Sequence, residues 1–147
     1  MGSFDTDCEL GVFVYGTLKP GGRYHRRYCA QFLTAALPAQ VKGELYDFPQ
    51  LGYPALTPGD DWVQGYLLRF CQTAAVCADI LHRLDALEGY VADKVAGSDD
   101  DYHRCQLQIF DSGYELLQTA WVYRMSQAQV RQQGGVYLPD GNWPVSY

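Results

Sequence analysis

The chain is poor in positive charge. Eleven Lys and Arg residues stand against 17 Asp and Glu residues, and the formal net charge is −6. Nucleic-acid binding rests on neutralising phosphates with Lys and Arg, so this balance argues against a nucleic-acid partner. The sequence also lacks a run of roughly 18 apolar residues, which a membrane-spanning helix needs. Its first residues have neither a basic start nor an apolar stretch typical of a signal peptide. We therefore expect a soluble protein with no membrane partner.

Patterns that bind metals or supply nucleophiles are scarce as well. The three His residues show no HxxxH or HxH spacing, and the five Cys residues form no CxxC pair. We expect no metal site, and an odd number of Cys suits reduced thiols in a cytoplasmic protein better than a disulfide framework. A Cys nucleophile paired with His103 is one alternative. The interpretation we favour is that Cys71, Cys77 and Cys105 are small buried hydrophobic residues.

Apolar and aromatic residues are plentiful enough for one packed domain. Of 147 residues, 48% are hydrophobic and 12 are Tyr. Apolar runs bounded by Gly and Pro predict strands at residues 12–15, 38–47, 62–70, 102–110 and 116–123, with a hairpin at DSGYE. Helical spacing predicts helices over 23–32 and 73–87, and the Pro and Gly of 48–56 predict an irregular segment. The sum is an α+β domain, with a mostly antiparallel sheet that curls toward a small barrel and a few flanking helices.

The first strand ends abruptly, in the sequence VFVYGTLKPGG. After Tyr15 the chain breaks at Gly16, which leaves the following backbone N–H groups without a partner in the sheet. Consecutive N–H groups form a concave donor set suited to a carboxylate, and Gly16 permits a ligand or another backbone to come close. An ordinary glycine turn with solvated N–H groups explains the same residues.

The helix over 73–87 leads to one charged residue on its apolar stripe. At about 100° per residue, six apolar side chains fall within a sector of roughly 140°; they are Val76, Cys77, Ile80, Leu81, Leu84 and Leu87. Glu88 falls inside this sector, whereas Asp79, His82, Arg83 and Asp85 fall outside. Burial and the negative end of the helix would both raise the pKa of Glu88, toward a value useful for proton transfer near neutrality. Alternatively, the side chain of Glu88 points into solvent, as the side chains of most Glu residues do.

In this order, the two segments resemble the γ-glutamylcyclotransferase-like family. The Tyr15-Gly16-Thr17-Leu18 turn is followed by VKGELYD (41–47), YPAL (53–56), VQG (63–65), LDALEGY (84–90), YHR (102–104) and AWVY (120–123). The likeness covers residues 11–124 and is greatest to the small branch that carries YGTLK, which includes γ-glutamylamine cyclotransferases. It implies one domain over residues 1–147, built as a compact barrel with outer helices and a pocket at one end.

The resemblance also implies roles for seven residues. The turn formed by Tyr15, Gly16, Thr17 and Leu18 would bind the amino-acid end of a γ-glutamyl group, and Glu88 would be the proton acceptor. Tyr102 and Tyr123 would be further pocket residues. The implied enzyme closes the α-amino nitrogen of a small γ-glutamyl compound onto its γ-carbonyl, which yields 5-oxoproline and a free amine without a metal or cofactor.

Two other functions stay open on the sequence. The same scaffold can be a binding module that holds a small anionic ligand without turnover. It can also hydrolyse or transfer the γ-glutamyl group, if water or another amine attacks. The leaving amine is not specified, although the segments 48–58, 90–101 and 125–147 are the ones we expect around it. The oligomeric state is not specified either.

Three smaller expectations complete the sequence analysis. The run Asp99 to Asp101 is interpreted as a solvated loop, because it lacks the alternating spacing of a calcium loop. The bond between Tyr53 and Pro54 is a candidate for the cis form. Trp143, in a tail over 125–147 for which we predict no elements, either closes over the pocket or packs on the barrel.

Overall fold

The structure is a computed structural model that describes residues 8–22, 25–88 and 102–143. The first two residues of the predicted 23–32 helix, Gly89, and the Asp99 to Asp101 run lie outside the described residues. The strands found in the described parts are β1 (Cys8–Val14), β2 (Ala35–Phe48), β3 (Tyr53–Gln72), β4 (His103–Phe110), β5 (Leu116–Arg124) and β6 (Val136–Leu138). The α-helices are α1 (His25–Tyr28), α2 (Ala74–Glu88) and α3 (Gln127–Gln132).

One sheet contains all of these strands. Their order is β3-β1-β5-β4-β2-β6, and β2 also pairs with β3. The β1–β5 pairing is parallel, and the other pairings are antiparallel. The predicted α+β class with a mostly antiparallel sheet is confirmed, as is the hairpin between β4 and β5.

Both faces of β1 are buried, which explains why its sequence is a continuous apolar run. Val12 and Val14 belong to a cluster that includes the buried side of α2, whereas Phe13 and Tyr15 belong to a second cluster on the other face of the sheet. Alternate side chains of a strand point to opposite faces, so four consecutive apolar residues are needed where both faces are covered.

Helix α2 packs as the sequence predicted. Its fully buried residues are Cys77, Ile80 and Leu84, in the cluster that also holds Leu68 and Phe70 of β3. The residues at the edges of the stripe, Val76, Leu81 and Leu87, are partly buried. The helix is thus held on the sheet by one apolar face, and its end is carried to the point where β1 ends.

The prediction of an irregular segment over residues 48–56 is wrong for the second half of that segment. Tyr53 to Leu56 form the start of β3 and pair with Phe48 to Leu45 of β2, so that the turn is confined to residues 49–52. Backbone pairing with a neighbouring strand overrides the local preference of Pro54 for a turn. The Tyr53–Pro54 bond is trans, and the expectation of a cis bond is wrong, because both residues continue an extended strand.

Three further expectations need correction or completion. The predicted 23–32 helix is only α1 and a 3-10 turn at Ala30–Phe32, because Cys29 between them departs from helical geometry. Cys77 is buried as predicted, but Cys71 is exposed and Cys105 is partly exposed, since Cys71 lies on the opposite face of β3 from Phe70. The tail contributes α3 and β6, and Trp143 is buried in the cluster with Phe13 and Tyr15.

None of the helices among the described residues has both the length and the hydropathy that a membrane-spanning helix needs.

Cys29, Cys71, Cys77 and Cys105 are free thiols.

Gly65 is the residue that lets β3 approach β1. A Cβ atom at Gly65 would lie 2.2 Å from the carbonyl oxygen of Val14. Gly65→Ala should therefore lower the free energy of unfolding by at least about 2 kcal/mol. Gly113→Ala is the matched control, because its Cβ would meet Asp111 at an ordinary 3.4 Å. Urea unfolding of both variants checks the prediction, and equal losses would contradict it.

Candidate active site

The turn after β1 presents backbone donors to a small pocket. It is closed by a hydrogen bond from Lys19 N to Gly16 O, 3.0 Å long. The N–H groups of Gly16, Thr17 and Leu18 have no hydrogen-bond acceptor among the residues that the structure describes. All three residues line the pocket, so the turn supplies a set of donors that a bound anion can use.

Gly16 is required here by the neighbouring strand. A Cβ atom at this position would lie 2.7 Å from Cγ and from Cδ of Pro54. The turn therefore passes directly over the start of β3, and only glycine allows that approach.

Tyr15 holds the turn in place. Its hydroxyl donates a hydrogen bond to Tyr123 O, at 2.6 Å, and accepts one from Leu56 N, at 3.2 Å. Burial raises the pKa of Tyr15 well above its usual value, and the nearby charge of Glu88 adds to this effect. The hydroxyl thus stays protonated and is engaged with the backbone of β3 and β5, which gives Tyr15 a structural share in the pocket.

Glu88 is the acidic residue of the pocket and the last residue of α2. Counted over the whole residue it is only partly buried, but its carboxyl group lies deeper than the rest of the side chain, and this burial raises the pKa of Glu88 to about 7. Its carboxyl group has no hydrogen-bond or salt-bridge partner in the described parts of the chain. A carboxyl group in this state can both accept and return a proton near neutral pH.

The pocket, called the inner pocket below, brings all seven predicted residues together. Its lining is Phe13, Val14, Tyr15, Gly16, Thr17, Leu18, Tyr53, Pro54, Glu88, Tyr102 and Tyr123. The space free of protein atoms is about 350 Å³, its mouth included. The roles of the seven residues stay predictions. Tyr53 and Pro54 also line the pocket; both lie in the segment 48–58 that was expected around the leaving amine, although neither was singled out. Tyr102 donates a hydrogen bond to Pro54 O, at 2.5 Å, which ties the two walls together.

Asp85 is the residue whose position the sequence analysis got wrong. It was expected outside the buried face, yet its side chain is only 15% exposed. Arg104 Nε donates to Asp85 Oδ1 at 2.8 Å and Arg104 Nη2 to Oδ2 at 3.2 Å, while the Tyr123 hydroxyl donates to Oδ1 at 2.6 Å. On a helical wheel Asp85 lies only about 40° beyond Leu81. This position at the edge of the apolar stripe was the sequence signal that could have predicted its partial burial.

This network fixes the end of α2. Arg104 is also stacked on Trp121, with 4.3 Å between its guanidinium carbon and the ring centre. Asp85 thereby joins the last turn of α2 to β4 and β5. Because Glu88 follows three residues later, the same contacts position its carboxyl group in the inner pocket.

Hydrogen bonds to Trp143, in the tail of the chain, also hold the turn. The buried Lys19 donates from Nζ to Trp143 O, at 2.6 Å, and Trp143 Nε1 donates to Asp47 Oδ1, at 2.9 Å. Burial lowers the pKa of Lys19. The packing of Trp143 therefore supports the turn. Of the two expectations for Trp143, packing is the one that holds, because Trp143 is buried in the cluster with Phe13 and Tyr15 and is not among the residues that line the pocket.

Metal binding has no candidate ligand set in the described ranges, where no group of three or more His, Cys, Asp or Glu residues is close enough to hold an ion.

The Asp85 network should be measurable as stability. Asp85→Asn leaves the half-buried guanidinium of Arg104 without its counter-charge, so we expect the free energy of unfolding to fall by about 1–3 kcal/mol. Asp79→Asn is the control on the same helix, because the pair of Asp79 with Arg83 is exposed and should be worth less than about 0.5 kcal/mol. Urea unfolding distinguishes the two, and a loss no larger than that of the control would contradict the assignment.

The raised pKa of Glu88 has a consequence for stability as a function of pH. Between pH 4.5 and about 7 the unfolded chain ionises this carboxyl group while the folded protein keeps it protonated. The native state therefore loses up to about 3 kcal/mol relative to a Glu88→Gln variant as pH rises through this window, and the difference is constant above it.

Thermal or urea unfolding of the wild type and Glu88→Gln from pH 4 to pH 8 measures this difference. Glu115→Gln, in the exposed turn of the β4–β5 hairpin, reports the effect of the lost charge alone. If the stability difference between the wild type and Glu88→Gln did not change with pH, burial of the carboxyl group would be disproved.

Solved structures from several organisms are similar to this chain. An AIG2-like protein from Mus musculus has 19% sequence identity and a TM-score of 0.60, over 92% of this chain and 88% of its own. A γ-glutamyl cyclotransferase from yeast, specific to glutathione, has 12% identity and a TM-score of 0.55, over 82% of this chain and 70% of its own. YkqA from Bacillus subtilis has 19% identity and a TM-score of 0.59 over 92% of this chain, which spans 40% of the length of YkqA. These likenesses establish the fold.

No protein of curated function matches the chain in sequence. The sequence profile of the family described as "Gamma-glutamyl cyclotransferase, AIG2-like" matches residues 12–145. That match includes the turn after β1, helix α2 and both strands that carry the pocket tyrosines. The chain therefore belongs to the AIG2-like γ-glutamyl cyclotransferase family.

Proposed function

We propose that this protein is a cyclotransferase that converts a γ-glutamyl amide into 5-oxoproline and a free amine. The observation that carries the proposal is the meeting of two features in the inner pocket. One is the Glu88 carboxyl group, with a pKa of about 7. The other is the set of N–H groups of Gly16, Thr17 and Leu18. Membership in a family whose members are generally cyclotransferases supports the same reaction.

The turn is proposed to bind the α-carboxylate of the γ-glutamyl group. Consecutive backbone N–H groups are suited to a carboxylate, and Gly16 leaves no side chain in the way. The tyrosine rings of the pocket offer the carbon chain of the substrate an apolar surface. Held in this way, the substrate folds so that its α-amino nitrogen meets its γ-carbonyl carbon, an orientation effect that can be large.

Glu88 is proposed to move the proton. The α-ammonium group of the substrate gives one proton to Glu88, and the freed nitrogen pair attacks the γ-carbonyl carbon. The new C–N bond closes the five-membered lactam, and the C–N bond to the leaving amine breaks. Glu88 returns its proton to the leaving nitrogen. The second proton, which the attacking nitrogen loses as the lactam forms, also passes to the released amine, so that the amine leaves as an ammonium ion and the enzyme ends as it began. The chemistry calls for no metal and no organic cofactor.

The scaffold is proposed to be a small barrel in a single domain over residues 1–147. The pairings run from β3 through β1, β5, β4 and β2, and the additional β2–β3 pairing returns to the first strand. The pocket would then lie at the barrel end where β1 stops. A cytoplasmic location is proposed as well, since the free thiols of the described cysteines suit a reducing compartment.

The test is a product assay with mass spectrometry on a panel of γ-glutamyl amides and dipeptides. The wild type should release 5-oxoproline, and kcat/KM should rise with pH through about 7, because Glu88 must be ionised to accept a proton. Glu88→Gln should lower kcat at least about 100-fold with little change in KM, since it removes the base and keeps the shape. Glu115→Gln is the matched control and should stay active.

Each alternative outcome identifies a different function. Free glutamate in place of 5-oxoproline means that water attacks and that the protein is a hydrolase. The absence of any product, with a γ-glutamyl compound still raising the melting temperature, means a binding module. A fully active Glu88→Gln variant would disprove the role of Glu88 as the base.

A further inference from the structure

A second pocket adjoins the inner pocket. This outer pocket is lined by Phe48, Pro49, Gln50, Leu51, Tyr53, Gln133, Gly134 and Val136. Its space free of protein atoms is about 1110 Å³, its mouth included, which is roughly three times that of the inner pocket. The turn between β2 and β3 forms one side, and the connection from α3 to β6 forms the other.

Tyr53 connects the two pockets. It lines both of them. Its ring lies 5.8 Å, centre to centre, from Phe48 in the outer pocket and 6.1 Å from Tyr102 in the inner pocket. Tyr53 therefore lies where the two pockets meet.

The outer pocket is built for an uncharged ligand. Among the described residues its lining contains apolar side chains, backbone and the neutral amides of Gln50 and Gln133, and no Asp, Glu, Lys or Arg. Leu51 and Val136 expose 46% and 51% of their surface here, which a ligand can cover. A charged group in this place would lose hydration without gaining a counter-charge.

The charged residues nearest along the chain do not change this picture. Asp47, next to Phe48, accepts the hydrogen bond of Trp143 Nε1 and does not line the pocket. Arg131, two residues before Gln133, is exposed on α3 and is not part of the lining.

We propose that the outer pocket binds the amine portion of the γ-glutamyl substrate. It selects an amide whose nitrogen carries an uncharged alkyl or aromatic group over one formed with an amino acid or a peptide. This inference rests on the proposed function, because it assigns the inner pocket to the glutamyl group. The inner pocket is the smaller of the two, so we place the glutamyl group there and the amine beyond Tyr53.

The test compares γ-glutamyl benzylamide and γ-glutamyl butylamide with γ-glutamyl glycine and γ-glutamyl-ε-lysine as substrates of the full chain. We expect kcat/KM at least about tenfold higher for the uncharged amides, with the difference mainly in KM. Leu51→Lys and Val136→Lys place a cation at the outer pocket. Each should lower kcat/KM for the benzylamide and raise it for γ-glutamyl glycine, whose carboxylate gains a partner.

Leu116→Lys is the matched control, since Leu116 is 54% exposed and lines neither pocket. It should leave the substrate preference unchanged, and melting temperatures verify that all three variants fold. If 5-oxoproline forms but charged amines are preferred, or if the outer-pocket variants behave like Leu116→Lys, this inference is overturned and the proposed function stands. If no substrate yields 5-oxoproline, both are overturned.

Discussion

The hydroxyl group of Tyr15 is the contact on which the inner pocket depends. It joins the end of β1 to Leu56 in β3 and to Tyr123 in β5 through two buried hydrogen bonds. The ladder between β1 and β3 ends at Val14, so this hydroxyl group continues the attachment of the chain to the sheet at the residue before Gly16. The three residues after this anchor, Gly16, Thr17 and Leu18, line the inner pocket, and their N–H groups have no acceptor among the described residues. A buried hydrogen bond thus turns a strand end into a potential anion site.

Two carboxyl groups on one turn of α2 have opposite environments. Asp85 receives three hydrogen bonds, from Arg104 and Tyr123, which hold its carboxyl group in place. Glu88, three residues later, has no such partner among the described residues, and burial raises its pKa to about 7. The paired carboxylate holds the helix end, and the unpaired one is left able to exchange a proton. Tyr123 belongs to both systems, since its carbonyl oxygen accepts from Tyr15 and its hydroxyl donates to Asp85.

The inner and outer pockets are made from different parts of the chain. The inner one combines the end of β1, the end of α2, tyrosines of β3 and β5, and Tyr102, the residue before β4. The outer one is made from the β2–β3 turn and the tail after α3. Among the described residues, Tyr53 is the one that both linings share.

Local sequence determined the elements whose signal is a short-range period. The stripe of α2, the burial of β1, the β4–β5 hairpin and the grouping of Glu88 with the turn after Tyr15 followed from spacing together with family resemblance. Tertiary structure decided the strand at Tyr53 to Leu56, the burial of Asp85 and the position of Trp143. It also decided how the segments 48–58 and 125–147, which the sequence placed around the leaving amine, form the outer pocket. The burial of Asp85 and the position of Trp143 depend on partners far away in the chain, Arg104 and Lys19. A periodic pattern reports which face of an element is apolar, but it does not report which residue of another element will lie opposite.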